Sequence, residues 1–148
     1  CILFISRSLA SLKLRRSGSV FSRQTKHKFR KLLVWQKAME FITHIYAVTA
    51  TYPRNEQYGL VDQIRRASVS IALNIAEGSG AGGDAEFIRF LRFSLRSGYE
   101  VITGVEVAIR LKYGNMKDNQ NLIAEVDELG AMLTGLIKSL KVNLKTES

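Results

Sequence analysis

The side chains of this chain best suited to chemistry with a partner are arginines. Arg89, Arg92, Arg96 and Arg110 recur at three-, four- and fourteen-residue steps. On a helix advancing ~100° per residue they share a sector about 60° wide. Arg65 and Arg66 form a second group on a preceding segment. A guanidinium is planar and forks onto phosphate oxygens through parallel N–H donors, so such a row suits sequence-independent contact with a nucleic-acid backbone. Part of the charge has a local counterpart. Glu100 follows Arg96 by four residues and Glu106 precedes Arg110 by four, the spacing of ordinary helix-surface pairs. Arg65, Arg89 and Arg92 have no such counterpart evident in the sequence. Arg65, Arg89, Arg92 and Arg96 are therefore the candidate nucleic-acid-binding residues.

No reactive centre stands beside them. Gly78-Ser79-Gly80-Ala81-Gly82-Gly83 matches G-x-G-x-x-G, but a dinucleotide loop needs a strand before it, and here a helical pattern precedes. There is no G-K-[ST], so the stretch is expected to be a flexible connection. His44 is the only histidine of the expected fold, and it has no nearby cysteine and no obvious carboxylate partner. The carboxylates are scattered and lack the inward Glu and Glu-x-x-His pattern of di-iron bundles. Cys1 is the only cysteine, which excludes an intrachain disulfide and a cysteine-rich metal site. We expect no catalytic residue, no metal, no cofactor and no enzymatic activity.

The elements that must carry the arginines follow from apolar periodicity. A first helix is expected over 33–52, with Trp35, Ala38, Met39, Ile42, Ile45, Tyr46 and Thr49 on one stripe, and Pro53 ends it. A second, over about 57–77, has Leu60, Ile64, Ala67, Ser68, Ile71 and Ile75 on its inner side, with Gly78 closing it in a left-handed conformation. Val69 and Leu73 point nearly opposite, so this helix needs cover on two sides. Together with Arg66 and Glu77 they form the expected contact between subunits. The third helix is expected over 84–112, capped by Asp84. Its core stripe is Phe87, Leu91, Ser94, Gly98, Val101, Val105 and Ile109, and Gly98 is expected to admit a close neighbour. The fourth, over 118–143, places Leu122, Val126, Leu129, Leu133, Leu136, Leu140 and Leu144 at alternating steps of four and three, a seam suited to antiparallel packing. No segment alternates with period two. The expected fold is all-α, an up-down-up-down antiparallel four-helix bundle over residues 29–144.

The net charge of +9 has to be located before it is used. Of the 22 Lys and Arg, nine lie within residues 1–31, which hold no acid. The remaining 13 balance the 13 Asp and Glu, so the pI says little about the folded part. Residues 1–28 are rich in Ser, Arg and Leu. They suit a targeting peptide, a basic arm or a non-native extension, and are expected to be poorly packed. No apolar run approaches the ~20 residues that span a bilayer, and the expected location is the cytoplasm.

Gln63 to Gly78 reads Q-I-R-R-A-S-x-S-I-x-x-N-I-A-E-G. This resembles the signature of a small bacterial four-helix bundle family. The family comprises the 23S ribosomal RNA intervening-sequence proteins, together with the accessory variability determinant of diversity-generating retroelements. Leu33-Val34-Trp35-Gln36-Lys37-Ala38-Met39, Phe87-Ile88-Arg89-Phe90-Leu91 and Glu100 extend the resemblance over roughly 29–140. It implies a ring-like homo-oligomer, a homopentamer in the accessory determinant, which binds a reverse transcriptase and nucleic acid. The family usually has a small residue where Arg96 stands. The expected function is a non-enzymatic oligomeric adaptor that contacts RNA, DNA or a nucleic-acid-processing partner such as a reverse transcriptase. The alternative is a purely structural or protein-interaction bundle.

Overall fold

The computed structural model of the chain describes residues 27–148. The basic leader therefore lies almost wholly outside the described residues. Within them the protein is all-α, with four helices and no strand. They are α1 (Leu33–Thr49), α2 (Leu60–Gly80), α3 (Asp84–Arg110) and α4 (Met116–Thr146), with 3₁₀ turns at Lys28–Lys31 and Arg54–Glu56. Consecutive helices pack on one another, and α1 also packs on α4.

Local chemistry accounts for most of the ends. Pro53 cannot donate a backbone hydrogen bond, and α1 stops four residues before it. Asn115 caps α4, its Oδ1 accepting from Lys117 N at 2.8 Å and Asp118 N at 3.2 Å. Between α3 and α4 the chain reverses through two left-handed residues, Lys112 (φ 59) and Gly114 (φ 65). Two expected ends are corrected. Gly78 does not close α2 but lies inside it, buried, because Phe87 and Phe90 of α3 seat on its bare Cα. A Cβ there would lie 2.6 Å from Phe90 Cβ. Asp84 is the first residue of α3 rather than its cap, and Gly83 precedes it with no side-chain cap.

The core is continuous. Phe41, Ile45, Ile64, Ile71, Ile75, Leu91, Val101, Val105 and Leu122 are essentially sealed from solvent. The expected stripe of α1 is rotated. Val34 and Phe41 are inside, while Met39 and Tyr46 are 42% and 44% exposed. Similar corrections put Val61 inside α2 with Leu60 at the rim, Ile88 and Ala108 inside α3 with Phe87 and Ile109 half-buried, and Ile137 inside α4 with Leu136 and Leu144 half-buried. Gly98 does meet a neighbour, with a Cβ position 3.3 Å from Val126 Cγ1. The closer approach is at Gly104, where a Cβ would lie 2.5 Å from Ile64 Cγ1.

A polar network ties the α1 exit to the α3–α4 turn. Tyr52 Oη donates to Asn119 Oδ1 at 2.6 Å, and Asn119 Nδ2 donates to the Tyr113 carbonyl at 2.8 Å. Tyr113 Oη donates to Glu56 Oε1 at 3.1 Å, and Glu56 Oε2 accepts from Leu60 N at 3.2 Å. Burial pushes the Tyr52 hydroxyl up to about 12.

Candidate functional site

α3 turns its arginines to solvent because its opposite side is committed to Leu91, Ser94, Gly98 and Val101. The arginines do not behave alike. Arg89 is held by Glu86, three residues earlier, through Nη2 at 2.8 Å and Nε at 3.2 Å to the same carboxylate oxygen. This corrects the expectation that it has no partner. Its guanidinium carbon lies 5.2 Å from the Phe90 ring centre and 5.6 Å from that of Phe93. Arg96 lies over the other part of this array, 5.6 Å from the Phe93 centre. Phe90 and Phe93 meet edge to face at 5.9 Å. The expected Arg96–Glu100 pair does not form, whereas Arg110 does pair with Glu106 at 2.6 Å. Among the described residues Arg92 and Arg96 make no ion pair and no side-chain hydrogen bond. Both are exposed.

Arg65 is corrected more strongly. Its Nε donates to Thr49 Oγ1 at 2.9 Å and its Nη2 to the Tyr46 carbonyl at 3.3 Å, while its guanidinium lies 4.4 Å from the Tyr46 ring centre. It clasps the last turn of α1, where a cation is favoured by the carbonyl end of the helix. It is also far from the other arginines. Gly104 seats on Ile64 while Phe90 seats on Gly78, so Arg65 and Arg89 sit at opposite ends of α3, roughly 22 Å apart along its axis.

The structure adds three cations that arginine spacing alone did not reveal. Lys138, Lys141 and Lys145 of α4 are exposed and repeat the three-and-four spacing of Arg89, Arg92 and Arg96. They make no ion pair among the described residues. Gly98 faces Val126, Leu95 faces Gly130, and Asn143 approaches Asp84 at 3.5 Å. These contacts put the lysine row beside the first turns of α3. The two rows thus follow one another along the α3–α4 corner, with Lys138 roughly 8 Å from Arg92 and Lys145 roughly 24 Å from Arg96 along the α3 axis. The signal was present in the sequence as a lysine period on the last helix.

A second surface lies on α2. Leu73 is 55% exposed and Val69 half-buried, flanked by exposed Arg66 and Glu77. Arg66 pairs within its own helix, with Asp62 at 3.0 Å. Tyr46, Tyr58, Arg65, Arg66, Val69 and Leu73 line a groove of about 490 Å³, and Tyr58 is 91% exposed. Tyr58 carries no periodic signal in the sequence, and Tyr46 falls on the expected α1 stripe.

His44 does have a carboxylate partner, Glu125 on α4, at 2.8 Å. With Lys37–Glu128 at 3.8 Å it links α1 to α4 along an exposed edge. Among the described residues no group of three or more His, Cys, Asp or Glu could hold a metal ion, and no helix is long and apolar enough to cross a membrane. The Gly78–Gly83 stretch begins within the last turn of α2, and residues 81–83 connect α2 to α3.

A family profile described as "23S rRNA-intervening sequence protein" matches residues 30–135. Among solved structures, a protein of unknown function from the S23 ribosomal protein family of Bacteroides thetaiotaomicron VPI-5482 is similar. It is 29% identical with a TM-score of 0.65, and the match covers 72% of this chain and 99% of that one. No curated protein matches the chain.

Proposed function

Since the chain belongs to the 23S rRNA-intervening sequence protein family, we propose that it is a non-enzymatic, self-assembling adaptor that contacts nucleic acid through the α3–α4 corner. The observation that carries this reading is the pair of matched cation rows. Arg92, Arg96, Lys138, Lys141 and Lys145 are exposed on neighbouring helices without an acid spent on any of them among the described residues. Phosphate is the partner such rows suit. The helices follow an up-down-up-down, antiparallel course in this reading. Its support is the succession of contacts: Gly78 with Phe90, Ile64 with Gly104, Asp84 with Asn143, and Tyr52 with Asn119.

Assembly into a ring-like homo-oligomer uses the α2 surface, with Val69 and Leu73 as its apolar centre and Arg66 and Glu77 at its margin. A ring repeats a modest basic corner several times, and linked weak sites bind far more tightly than one. The protein partner is a nucleic-acid enzyme, such as a reverse transcriptase. A second reading, a protein-interaction bundle without nucleic acid, is favoured by one specific observation. Arg65, Arg66 and Arg89 are all satisfied within the chain.

Fluorescence titration of the full chain with short labelled RNA and DNA separates the two. Replacing the five unpaired cations by Ala weakens binding by about tenfold or more, equally for every sequence, because phosphate contacts do not read bases. Unchanged affinity refutes the α3–α4 corner and leaves the protein-interaction reading.

A further inference from the structure

Resting on that reading of the α3–α4 corner, we propose that the strand it takes is single, with bases stacked on the Arg96–Phe93 pair and on Tyr99. The cations alone do not distinguish a duplex from a single strand, because both present phosphates. The flat groups beside them do. Arg96 is laid over the Phe93 ring, and it makes no hydrogen bond among the described residues that would turn it edge-on. Its guanidinium carbon is 5.6 Å from the Phe93 ring centre and the group is exposed, so it is open to a further flat group. Tyr99 stands three residues further along α3, 65% exposed, and its hydroxyl has no hydrogen-bond partner among the described residues.

Phe93, Arg96 and Tyr99 thus recur at steps of three, about 4.5 Å of rise each. That step is longer than the ~3.4 Å between charges along one strand of a duplex, and an unstacked strand can follow it. A duplex hides its base faces, so these planes would have nothing to meet. A single strand offers them to arginine planes and aromatic rings while its phosphates lie along the cations.

The test uses the full chain, a labelled oligo-uridine or oligo-thymidine, and a duplex of equal length. Tyr99→Leu keeps an apolar side chain at an exposed position, and Arg96→Lys keeps the charge while removing the plane. Each variant is expected to lower single-strand affinity roughly tenfold, the worth of about one lost stack. Duplex affinity and salt dependence stay the same in Tyr99→Leu, a residue outside the cation rows, and Arg96→Lys lowers duplex affinity less than single-strand affinity. If both variants bind the single strand as the wild type does while salt-dependent binding persists, the stacking inference is overturned and the basic corner stands. Equal losses on duplex and single strand overturn it in the same way. If the wild-type protein binds neither form, the basic corner and the inference fall together.

Discussion

Tyr52 holds its corner of the fold through one phenol. Its hydroxyl is buried and donates to Asn119 Oδ1, and burial raises its pKa from 10.0 to about 12. The folded state thus retains the proton more strongly than the unfolded chain does. Its contribution to stability is complete below pH 10 and is lost as pH rises toward 12. Denaturant unfolding across that window should show the loss. Tyr52→Phe should remove Tyr52's share of it and cost about 1–3 kcal/mol, since Asn119 Oδ1 is left buried without its donor. A variant as stable as the wild type at neutral pH would contradict the network. At this scale the sequence displayed what is local. The arginine row on α3 was legible because a helix period fixes which side chains share a face. Glu86–Arg89 is equally local but sits at a three-residue spacing, outside the four-residue pairs that the sequence reading counts. The Arg65 clasp on α1 and the His44–Glu125 link join residues distant in sequence, and no pattern within one segment encodes them.

The helices make the opposite point, because their glycines look alike in sequence and differ in space. At Gly78 a Cβ would strike Phe90 Cβ, an atom fixed to the backbone. At Gly135 it would meet nothing within 4 Å. Helix propensity favours Ala over Gly by up to about 1 kcal/mol at each position. Overpacking at Gly78 costs about 1–3 kcal/mol and outweighs that gain. Thermal denaturation should therefore find Gly78→Ala less stable than the wild type and Gly135→Ala more stable by up to about 1 kcal/mol. A shift of the same sign in both would show that propensity alone decides. The number, type and order of the helices were legible from period and breakers. Their inner faces were legible only to within a residue or so. Met39 and Tyr46 entered the expected α1 stripe by their helical spacing, whereas packing rotates the inner face onto Val34 and Phe41. The extension of α2 past Gly78 was hidden because its cause, the two phenylalanines, belongs to α3.

For the whole molecule, an isolated subunit leaves Leu73, Tyr58 and Tyr46 against water, and a contiguous apolar patch of this kind marks a contact surface. In the proposed assembly, Leu73→Asp should place an unpaired charge in that contact and dissociate it, seen as a drop in mass by light scattering. It should also weaken nucleic-acid binding without touching a cation, because the repeated sites are lost. A wild-type monomer at micromolar concentration would contradict assembly through α2. The total charge was legible in the sequence, but the placement of the α3–α4 cations was not. The excess lies in residues 1–31, whereas the basic corner arises in a nearly neutral domain from two rows that only the packing of α3 on α4 brings together. The most direct test of that corner is the salt dependence of binding to single-stranded RNA by the full chain and by the variant with Arg92, Arg96, Lys138, Lys141 and Lys145 replaced by Ala. The leader is common to both proteins, so only the corner differs. The account predicts that the variant's plot of log affinity against log salt is flatter by about 0.7 for each phosphate contact removed, with the assembly mass unchanged. Parallel plots at equal affinity would contradict it.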